Sequence, residues 1–359
     1  MTPLRAVVAG AGRMGRAWIA TVTGSPEVEL AGVADLDEAA ARAAVAAVGA
    51  PDLPVGADVV ALARATGATA VIDVTAPAAH HPVTTAALFA GLAVLGEKPA
   101  AATLPEALSL AAASEVTGRL FMVSQNRRWN PQLAALRELV AALGPIGTVT
   151  TEFFRAVRLG GFREAMAHPL LTDMAIHHFD AVRYLLGADP VSVSCRSWNP
   201  PWSWYAGDAE ASAVAEMTGG ARYVYFGSWC SPGAQTSWNG SWRVQGELGS
   251  VRWDGDRAPG GDGTPGSGEL GDEAVHGRPD GIAAALAGFA RALRTGEPPM
   301  GEIHDNLNSL AMVTAAIESA ETGRTVRIDD VLARARAAAI EAETRDDVRA
   351  ALRRTRTAR

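Results

Sequence analysis

Short apolar runs alternate with longer stretches of helical periodicity through the first third of the chain. Gly, Pro or Asp bounds these runs, as is typical of strands buried in a parallel sheet. Strands are predicted over 6–9, 28–34, 70–75, 93–96 and 120–124, and helices over 16–23, 39–48, 83–90 and 104–117. The alternation predicts an α/β fold, with a doubly wound parallel sheet over residues 1–125.

The pattern changes beyond residue 125, where a predicted helix over 131–143 precedes runs that alternate apolar with polar positions. Such alternation is typical of half-exposed antiparallel strands, here over 147–157, 191–197, 211–218, 222–229 and 242–245. We expect an α+β domain over 126–329 with one large open, mainly antiparallel sheet, then a helical tail over 330–359. Because an uncovered apolar face must be buried somewhere, the sheet predicts a homodimer or homotetramer.

A glycine-rich turn follows the first predicted strand directly. Gly10, Gly12 and Gly15 give the spacing Gly-x-Gly-x-x-Gly between a strand and a helix, the context of a dinucleotide-binding turn. The first glycine permits a tight turn, the second lets the backbone approach a pyrophosphate, and the third lets the helix pack close to the strand. Arg13 and Met14 lie inside this turn, and we expect both to contact the cofactor.

Asp35 ends the second predicted strand, twenty residues after Gly15. An acid at this spacing accepts the ribose hydroxyls of NAD, and its charge repels the 2′-phosphate of NADP. Leu36 follows where a basic residue would suit NADP. The sequence therefore favours NAD, and NADP stays open because Arg13 could reach a phosphate.

Polar residues follow three predicted strands, at the sheet edge where ligands of such folds bind. They are His80 and His81, which follow Pro77 after one strand, Glu97 and Lys98 after the next, and Asn126 and Arg127 after the last. Lys98 is the only lysine among the 32 Lys and Arg residues. Arg stays charged, whereas a buried Lys can give or take a proton. Its place on the ligand edge therefore favours a catalytic role over chance.

A helix predicted from residue 172 carries most of the titratable side chains of the second half. Thr172 or Asp173 can cap it, and Asp173 and His177 are four residues apart, which places them on one face. A carboxylate beside an imidazole orients the ring and favours its protonated form, which prepares a general acid/base. The alternative explanation is a solvated helix face with a casual ion pair.

Composition and charge exclude several classes of protein. The net charge of -7 offers no basic surface to nucleic acid. No apolar run reaches membrane-spanning length, and the N-terminal residues lack the layout of a signal peptide. Cys195 and Cys230 are the only cysteines, too few for a disulfide framework or a metal cluster. We expect a cytoplasmic protein without a metal site, whose partner is a small molecule.

Taken together, these segments resemble the Gfo/Idh/MocA family of nicotinamide-dependent oxidoreductases over residues 4–329. The segments that carry the resemblance are the glycine turn, Glu97-Lys98-Pro99, Asn126-Arg127-Arg128-Trp129-Asn130-Pro131, Asp173-x-x-x-His177-x-x-Asp180 and Ser319-Ala320-Glu321-Thr322-Gly323-Arg324. The resemblance implies a Rossmann domain, NAD(P) as cofactor and a sugar or cyclitol as substrate. It also implies that His177 is the acid/base at the reacting oxygen, that Asp173 orients it, and that Lys98 hydrogen-bonds that oxygen.

The expected cofactor contacts are Gly10, Gly12, Arg13, Met14, Gly15, Asp35, Thr75, Pro77, His80, Glu97 and Lys98. The expected substrate contacts are Asn126, Arg127, His168 and Trp238. Trp238 is chosen because a flat ring beside the polar Asn239 suits the C–H face of a sugar, whereas core packing explains most other tryptophans. Arg155, Arg158 and Arg163 follow a predicted strand. They either bind an acidic substituent or are solvated loop charges.

Three functional hypotheses follow from these residues. The leading one is an NAD-dependent dehydrogenase or ketoreductase that acts on a secondary alcohol or ketone of a sugar, glycoside or cyclitol. The second is a glycoside-cleaving enzyme that oxidises its substrate transiently on tightly held NAD. The third is a non-catalytic NAD(P)-binding sensor of the same fold.

Overall fold

The computed structural model describes residues 3–158, 160–262 and 280–354. The chain forms two compact units, and neither is continuous in sequence. The first contains Met1–Asn126, Pro279–Leu307 and Ala333–Arg359, and the second contains Arg127–Arg278 and Asn308–Leu332. The domains predicted from the sequence are continuous segments, whereas each of these units groups segments that lie far apart in the chain. The Gly, Pro and Asp content of residues 254–281 predicts a loop. Most of this stretch, namely 263–279, lies outside the described residues.

The first unit is built on a six-stranded sheet whose neighbouring strands all pair in parallel. Its strands are β1 (Leu4–Ala9), β2 (Val28–Ala34), β3 (Val55–Gly56), β4 (Ala70–Asp73), β5 (Ala93–Glu97) and β6 (Phe121–Ser124). Its connecting helices are α1 (Arg13–Thr23), α2 (Glu38–Ala47), α3 (Val59–Thr66), α4 (Pro77–Phe89) and α5 (Leu104–Thr117). The order β3-β2-β1-β4-β5-β6 confirms the predicted doubly wound sheet.

Local chemistry explains where these helices begin. Thr103 and Glu106 form a reciprocal capping box at the start of α5, which has the predicted bounds. Helix α4 begins six residues before the predicted start at residue 83. The helix instead begins at Pro77, where a missing N–H costs nothing, and it continues through Pro82. β3 and α3 were not predicted, since a strand of two residues leaves no apolar pattern.

The second unit is built on an eight-stranded sheet of order β13-β12-β11-β7-β10-β9-β8-β14. Its strands are β7 (Ile146–Phe154), β8 (Pro190–Trp198), β9 (Glu210–Met217), β10 (Arg222–Ser228), β11 (Ser241–Gly246), β12 (Gly249–Trp253), β13 (Gly260–Asp262) and β14 (Val326–Arg327). The β7–β10 pair is parallel and the other pairs are antiparallel. This mixed, mainly antiparallel sheet confirms the second half of the fold prediction.

The two faces of the large sheet differ. Tyr223 and Tyr225 on β10 are fully buried on one face, where their rings contact Phe179. Phe179 lies on α7 (Ile176–Leu186), which follows α6 (Pro131–Ala141) along the chain. On the opposite face, Val214 and Phe226 are 46% and 38% exposed. The chain thus leaves apolar side chains uncovered on the face for which self-association was predicted.

The remaining helices are α8 (Gly281–Thr295), α9 (Ile303–Thr322), α10 (Ile328–Ala342) and α11 (Asp346–Arg354). Helix α11 packs on α5 within the first unit, and its Val348, Ala351 and Leu352 are buried. Ser109 of α5 donates a 2.6 Å hydrogen bond to Glu343 beside this packing. The predicted tail is therefore helical, and it covers its own first unit rather than standing free. No helix within the described ranges is both long enough and apolar enough to span a bilayer.

Candidate functional site

The glycine turn of the first unit is shaped by close backbone contacts. Gly10 has a φ of 102°, and a Cβ there would lie 2.6 Å from the Val74 carbonyl oxygen. A Cβ on Gly15 would lie 2.0 Å from the Gly10 carbonyl oxygen. No side chain fits at either contact, so both positions require glycine. The sequence-based reasons for these two residues agree with the geometry.

Gly12 differs from the other two glycines, because a Cβ there would meet no atom within 4 Å. It caps α1 without any side-chain hydrogen bond to the first turn. Gly12, Arg13 and Met14 are all exposed at this helix start. Free backbone N–H groups at a helix N-terminus form a site for an anion such as a pyrophosphate. The turn therefore fits a dinucleotide.

Asp35 follows β2 directly, and its side chain also holds the glycine turn in place. One of its carboxylate oxygens accepts a 2.6 Å hydrogen bond from the Ala11 backbone N–H, and the other accepts a 2.8 Å bond from the Asp37 N–H. This bracing was not predicted, because spacing alone does not show which groups a carboxylate contacts. Asp35 is partly exposed, so its remaining lone pairs are available to ribose hydroxyls.

The loops after β4 and β5 are joined by buried polar contacts. The His80 ring nitrogens lie 2.9 Å from the Thr75 carbonyl oxygen and 2.8 Å from the Pro99 carbonyl oxygen, and the ring is 2% exposed. His80 was expected to contact the cofactor, but both of its nitrogens face these backbone carbonyls. Pro77, the first residue of α4, is partly exposed beside Thr75. The ring thus connects a loop predicted to contact the cofactor with the segment that carries Lys98.

Two carboxylates lie next to these loops. Asp73 is fully buried, and burial raises its pKa, opposed by the His80 charge and by hydrogen bonds from Thr75 and Thr84. Burial also raises the pKa of Glu97, opposed first by a 2.8 Å hydrogen bond from the Trp18 indole. The other Glu97 oxygen accepts a 3.1 Å bond from the Lys98 backbone N–H. Glu97 therefore fixes the backbone at Lys98, whose side chain is partly buried.

The segment with Asp173 and His177 is not one regular helix. Residues Leu170–Ala175 form a π-helical turn that continues into α7, so neither Thr172 nor Asp173 caps the helix as predicted. The wider turn changes the register between Asp173 and His177 from the assumed four-residue spacing. Asp173 accepts a 2.9 Å hydrogen bond from Arg163. His177 is 7% exposed on the first turn of α7.

A buried ion network also holds α7, and its partners could not be predicted from local sequence patterns. Asp180 accepts two hydrogen bonds from Arg128, of 2.7 and 2.8 Å, and one of 2.6 Å from Ser309. Arg183 donates a 2.8 Å bond to Ser309 and pairs with Asp189. Asp180 and Arg128 are 1% and 7% exposed. The only sequence signal was the place of both residues in the family-like motifs.

The predicted substrate residues of the second unit lie in two places. Arg127 donates a hydrogen bond to the side chain of Asn239, which follows Trp238. Trp238 is 39% exposed, and the Arg155 guanidinium lies 4.4 Å from its ring centroid. His168 instead lies 3.3 Å from Glu321. The structure therefore groups Arg127 with Trp238 and places His168 among other polar side chains.

His178, the neighbour of His177, is fully buried among aromatic rings. Its ring centroid lies 5.0 Å from that of Phe153 and 5.6 Å from that of Tyr225. Burial holds its pKa well below the usual value, and the positive charge of Arg127 lowers the pKa further. His178 is therefore a neutral packing residue. Asn126 lies in the short 3-10 helix Asn126–Trp129 and is partly exposed.

Two models of one protein family match the chain. The model described as an oxidoreductase family with an NAD-binding Rossmann fold matches residues 4–125, and the GFO/IDH/MocA C-terminal domain model matches residues 133–252. The chain belongs to the Gfo/Idh/MocA family. The resemblance inferred from the motifs is thereby confirmed. As a member of this family, the chain is an NAD-binding oxidoreductase.

Relatives of this Gfo/Idh/MocA chain include an uncharacterized protein and a protein of named activity. It is 31% identical over 272 residues to the uncharacterized protein y4oX of Sinorhizobium fredii, covering 71% of this chain and 75% of the relative. It is 26% identical over 330 residues to inositol 2-dehydrogenase of Rhizobium meliloti, covering 89% and 97%. The fold matches an oxidoreductase from Agrobacterium radiobacter, solved with NAD+, L-tartaric acid and magnesium, with a TM-score of 0.80 at 21% identity, covering 92% and 99%.

Proposed function

We propose that this chain is an NAD-dependent dehydrogenase or ketoreductase that transfers a hydride between the nicotinamide and a secondary alcohol or ketone of a sugar, glycoside or cyclitol. The observation that carries the proposal is the open backbone cradle at Gly12 with Asp35 beside it. The inositol 2-dehydrogenase of Rhizobium meliloti supports a polyol as the substrate class.

The residues proposed to hold the cofactor belong to the first unit. The α1 N-terminus and Gly12 would take the pyrophosphate, and Asp35 would take the ribose hydroxyls of the adenosine half. Thr75 lies on the loop after β4, Pro77 begins α4 and Glu97 ends β5. All three are at the carboxyl edge of the sheet, where nicotinamide is bound in such folds. The bound nicotinamide supplies the two-electron acceptor for the hydride.

The proton chemistry is proposed for Lys98, Asp173 and His177. In the oxidative direction His177 takes the hydroxyl proton as the alcohol carbon loses its hydride, and it returns the proton in reduction. Lys98 donates a hydrogen bond to the reacting oxygen and stabilises its developing negative charge. Asp173, which Arg163 keeps in place, orients His177. Together these groups supply the base and the fixed oxygen that alcohol oxidation needs.

The first experiment is a titration of the purified protein with NADH and with NADPH, followed by quenching of tryptophan fluorescence. We expect NADH to bind at least about tenfold more tightly, because the Asp35 carboxylate repels a 2′-phosphate. Tighter binding of NADPH would refute the role of Asp35. If neither binds, the hydride-transfer proposal fails. A substrate that reacts without net release of NADH would instead indicate transient oxidation followed by bond cleavage.

We also propose that the exposed face of the second sheet is where two copies associate. Val214 and Phe226 on this face are accompanied by Trp198, which is 36% exposed. An uncovered apolar face of this kind favours self-association. Sedimentation analysis of Phe226→Glu against the unchanged protein tests it, and we expect the variant to dissociate. An unchanged assembly would place the interface elsewhere.

A further inference from the structure

The Arg155 guanidinium is held by an aromatic ring and a backbone carbonyl. Arg155 follows β7 directly, and its guanidinium carbon lies 4.4 Å from the ring centroid of Trp238. One terminal nitrogen, Nη1, donates a 3.0 Å hydrogen bond to the Thr236 carbonyl. The group is therefore fixed in position by a ring face and one backbone acceptor.

A second nitrogen of this guanidinium lacks an acceptor within the described part of the chain. The Arg155 Nε atom is buried and has no hydrogen-bond partner among the residues that the structure describes. Within the same residues, Arg155 forms no ion pair, whereas Arg163 pairs with Asp173 and Arg128 pairs with Asp180. A partly buried cation without a counter-ion is costly, and a fixed guanidinium edge matches the two oxygens of one carboxylate.

The surroundings of Arg155 add positive charge. Arg127 donates a hydrogen bond to the side chain of Asn239, the residue that follows Trp238. The carboxylate of Asp256 accepts a 2.7 Å hydrogen bond from the Ser237 hydroxyl. One guanidinium thus stacks on an indole that is 39% exposed, and a second one bonds the side chain of the next residue. A guanidinium group beside an indole suits a sugar or cyclitol ring that carries a carboxylate.

We propose that the substrate is a carboxylated sugar or cyclitol, such as a uronic acid, whose carboxylate is the counter-ion of the Arg155 guanidinium. The proposal rests on the proposed function and specifies its substrate class. In the reaction, a C–H bond and the O–H bond of one secondary alcohol break. The hydride pair goes to NAD+, the proton goes to His177, and a ketone forms while the carboxylate is unchanged.

The test compares matched pairs of acid and neutral sugar with NAD+ present. The pairs are D-glucuronate with D-glucose and D-galacturonate with D-galactose, measured both by NADH formation and by thermal-shift affinity. We expect at least one acid to bind or react at least about tenfold better than its neutral partner. In Arg155→Gln we expect the acid to lose about 10- to 100-fold in KM or affinity, since one charge-assisted contact is removed. The neutral partner should change less than about threefold.

Two further variants make the result specific. Arg155→Lys keeps the charge without the planar fork, so we expect an intermediate loss, and it replaces Arg155→Gln if that variant does not fold. Arg252→Gln removes an exposed arginine on β12 and should leave the acid preference unchanged. Inorganic phosphate added as a competitor shows whether the Arg155 guanidinium prefers a phosphoryl group to a carboxylate.

The outcomes separate this inference from the proposed function. Equal use of acid and neutral sugars, equal losses in Arg155→Gln, or no binding of either acid while NADH still binds would each overturn the carboxylate assignment and leave cofactor use intact. Stronger competition by phosphate than by either uronate would also overturn it. Failure of NADH to bind would refute the proposed function instead.

Discussion

The candidate site of the first unit is formed mainly by backbone, and that of the second unit by side chains. In the first unit the glycine turn is made of backbone: Gly10 and Gly15 are held by contacts that no side chain fits, and Gly12 faces open space. In the second unit the corresponding region is made of long side chains, with Asp173 held by Arg163 and Trp238 covered by Arg155. A backbone site depends on residues close in sequence, whereas a side-chain site depends on residues far apart.

This difference predicts how each unit responds to substitution. A backbone cradle tolerates no added atoms but needs few specific side chains. A side-chain site tolerates small changes in shape but fails when one charged partner is lost. Substitutions that add side-chain volume should therefore have the larger effect in the first unit, and substitutions that remove a charge should have the larger effect in the second.

The largest expected effect is on the reaction itself. His177→Ala should lower the rate of hydride transfer by about 10²- to 10⁴-fold, because a positioned acid/base is lost. NADH affinity should not change, since the proposed cofactor contacts belong to the first unit. Single-turnover kinetics with parallel NADH titrations measures both, and His304→Ala, a change at an exposed histidine, is the control. A rate close to that of the unchanged protein would remove His177 from the mechanism.

Removal of the buried carboxylate of the second unit should affect stability next most strongly. Asp180→Ala leaves Arg128 buried without its partner, so we expect the free energy of unfolding to fall by about 3 to 5 kcal/mol. Glu29→Ala removes an exposed ion pair with Arg5 and should cost less than about 1 kcal/mol. Urea unfolding of both variants gives the comparison. Similar losses in the two would show that the network is not the support of α7.

Two glycine substitutions separate packing from binding in the first unit. Gly15→Ala forces a Cβ to within 2.0 Å of the Gly10 carbonyl oxygen, and we expect it to destabilise the protein by about 3 kcal/mol. Gly12→Ala meets no protein atom, so stability should be unchanged while NADH affinity falls about tenfold or more. Thermal unfolding and NADH titration measure the pair. If Gly12→Ala binds NADH normally, the pyrophosphate does not lie at this turn.

The smallest expected effect is a pH dependence in the first unit. Hydrogen bonds that the His304 ring donates to the carboxylates of Glu302 and then Glu115 raise the pKa of His304 to about 9. Since the folded-state pKa is raised, the stabilisation is complete below the unfolded pKa of about 6.5 and is lost as pH rises through about 9. The ring is 39% exposed, so we expect only about 1 kcal/mol. The difference in unfolding free energy between the unchanged protein and His304→Gln should vanish above that range.

What could be foreseen from the sequence follows the same division. Helix α5 has its predicted bounds because Thr103 and Glu106 cap it locally. The glycine turn was predicted because its contacts lie within one strand, one turn and one helix. The π-helical turn at Asp173 was missed, since periodicity does not distinguish it from an α-helical turn. The stacking of Arg155 on Trp238 joins residues 83 apart, a pairing that no local pattern encodes.

The contacts of His80 have a mechanical consequence. Its ring nitrogens lie 2.9 Å from the Thr75 carbonyl oxygen and 2.8 Å from the Pro99 carbonyl oxygen, so one ring spans the loop after β4 and the segment that carries Lys98. Because an aromatic ring does not bend, a displacement of one of these segments displaces the other. The Rossmann unit therefore has a rigid brace between two segments that are proposed to contact the cofactor.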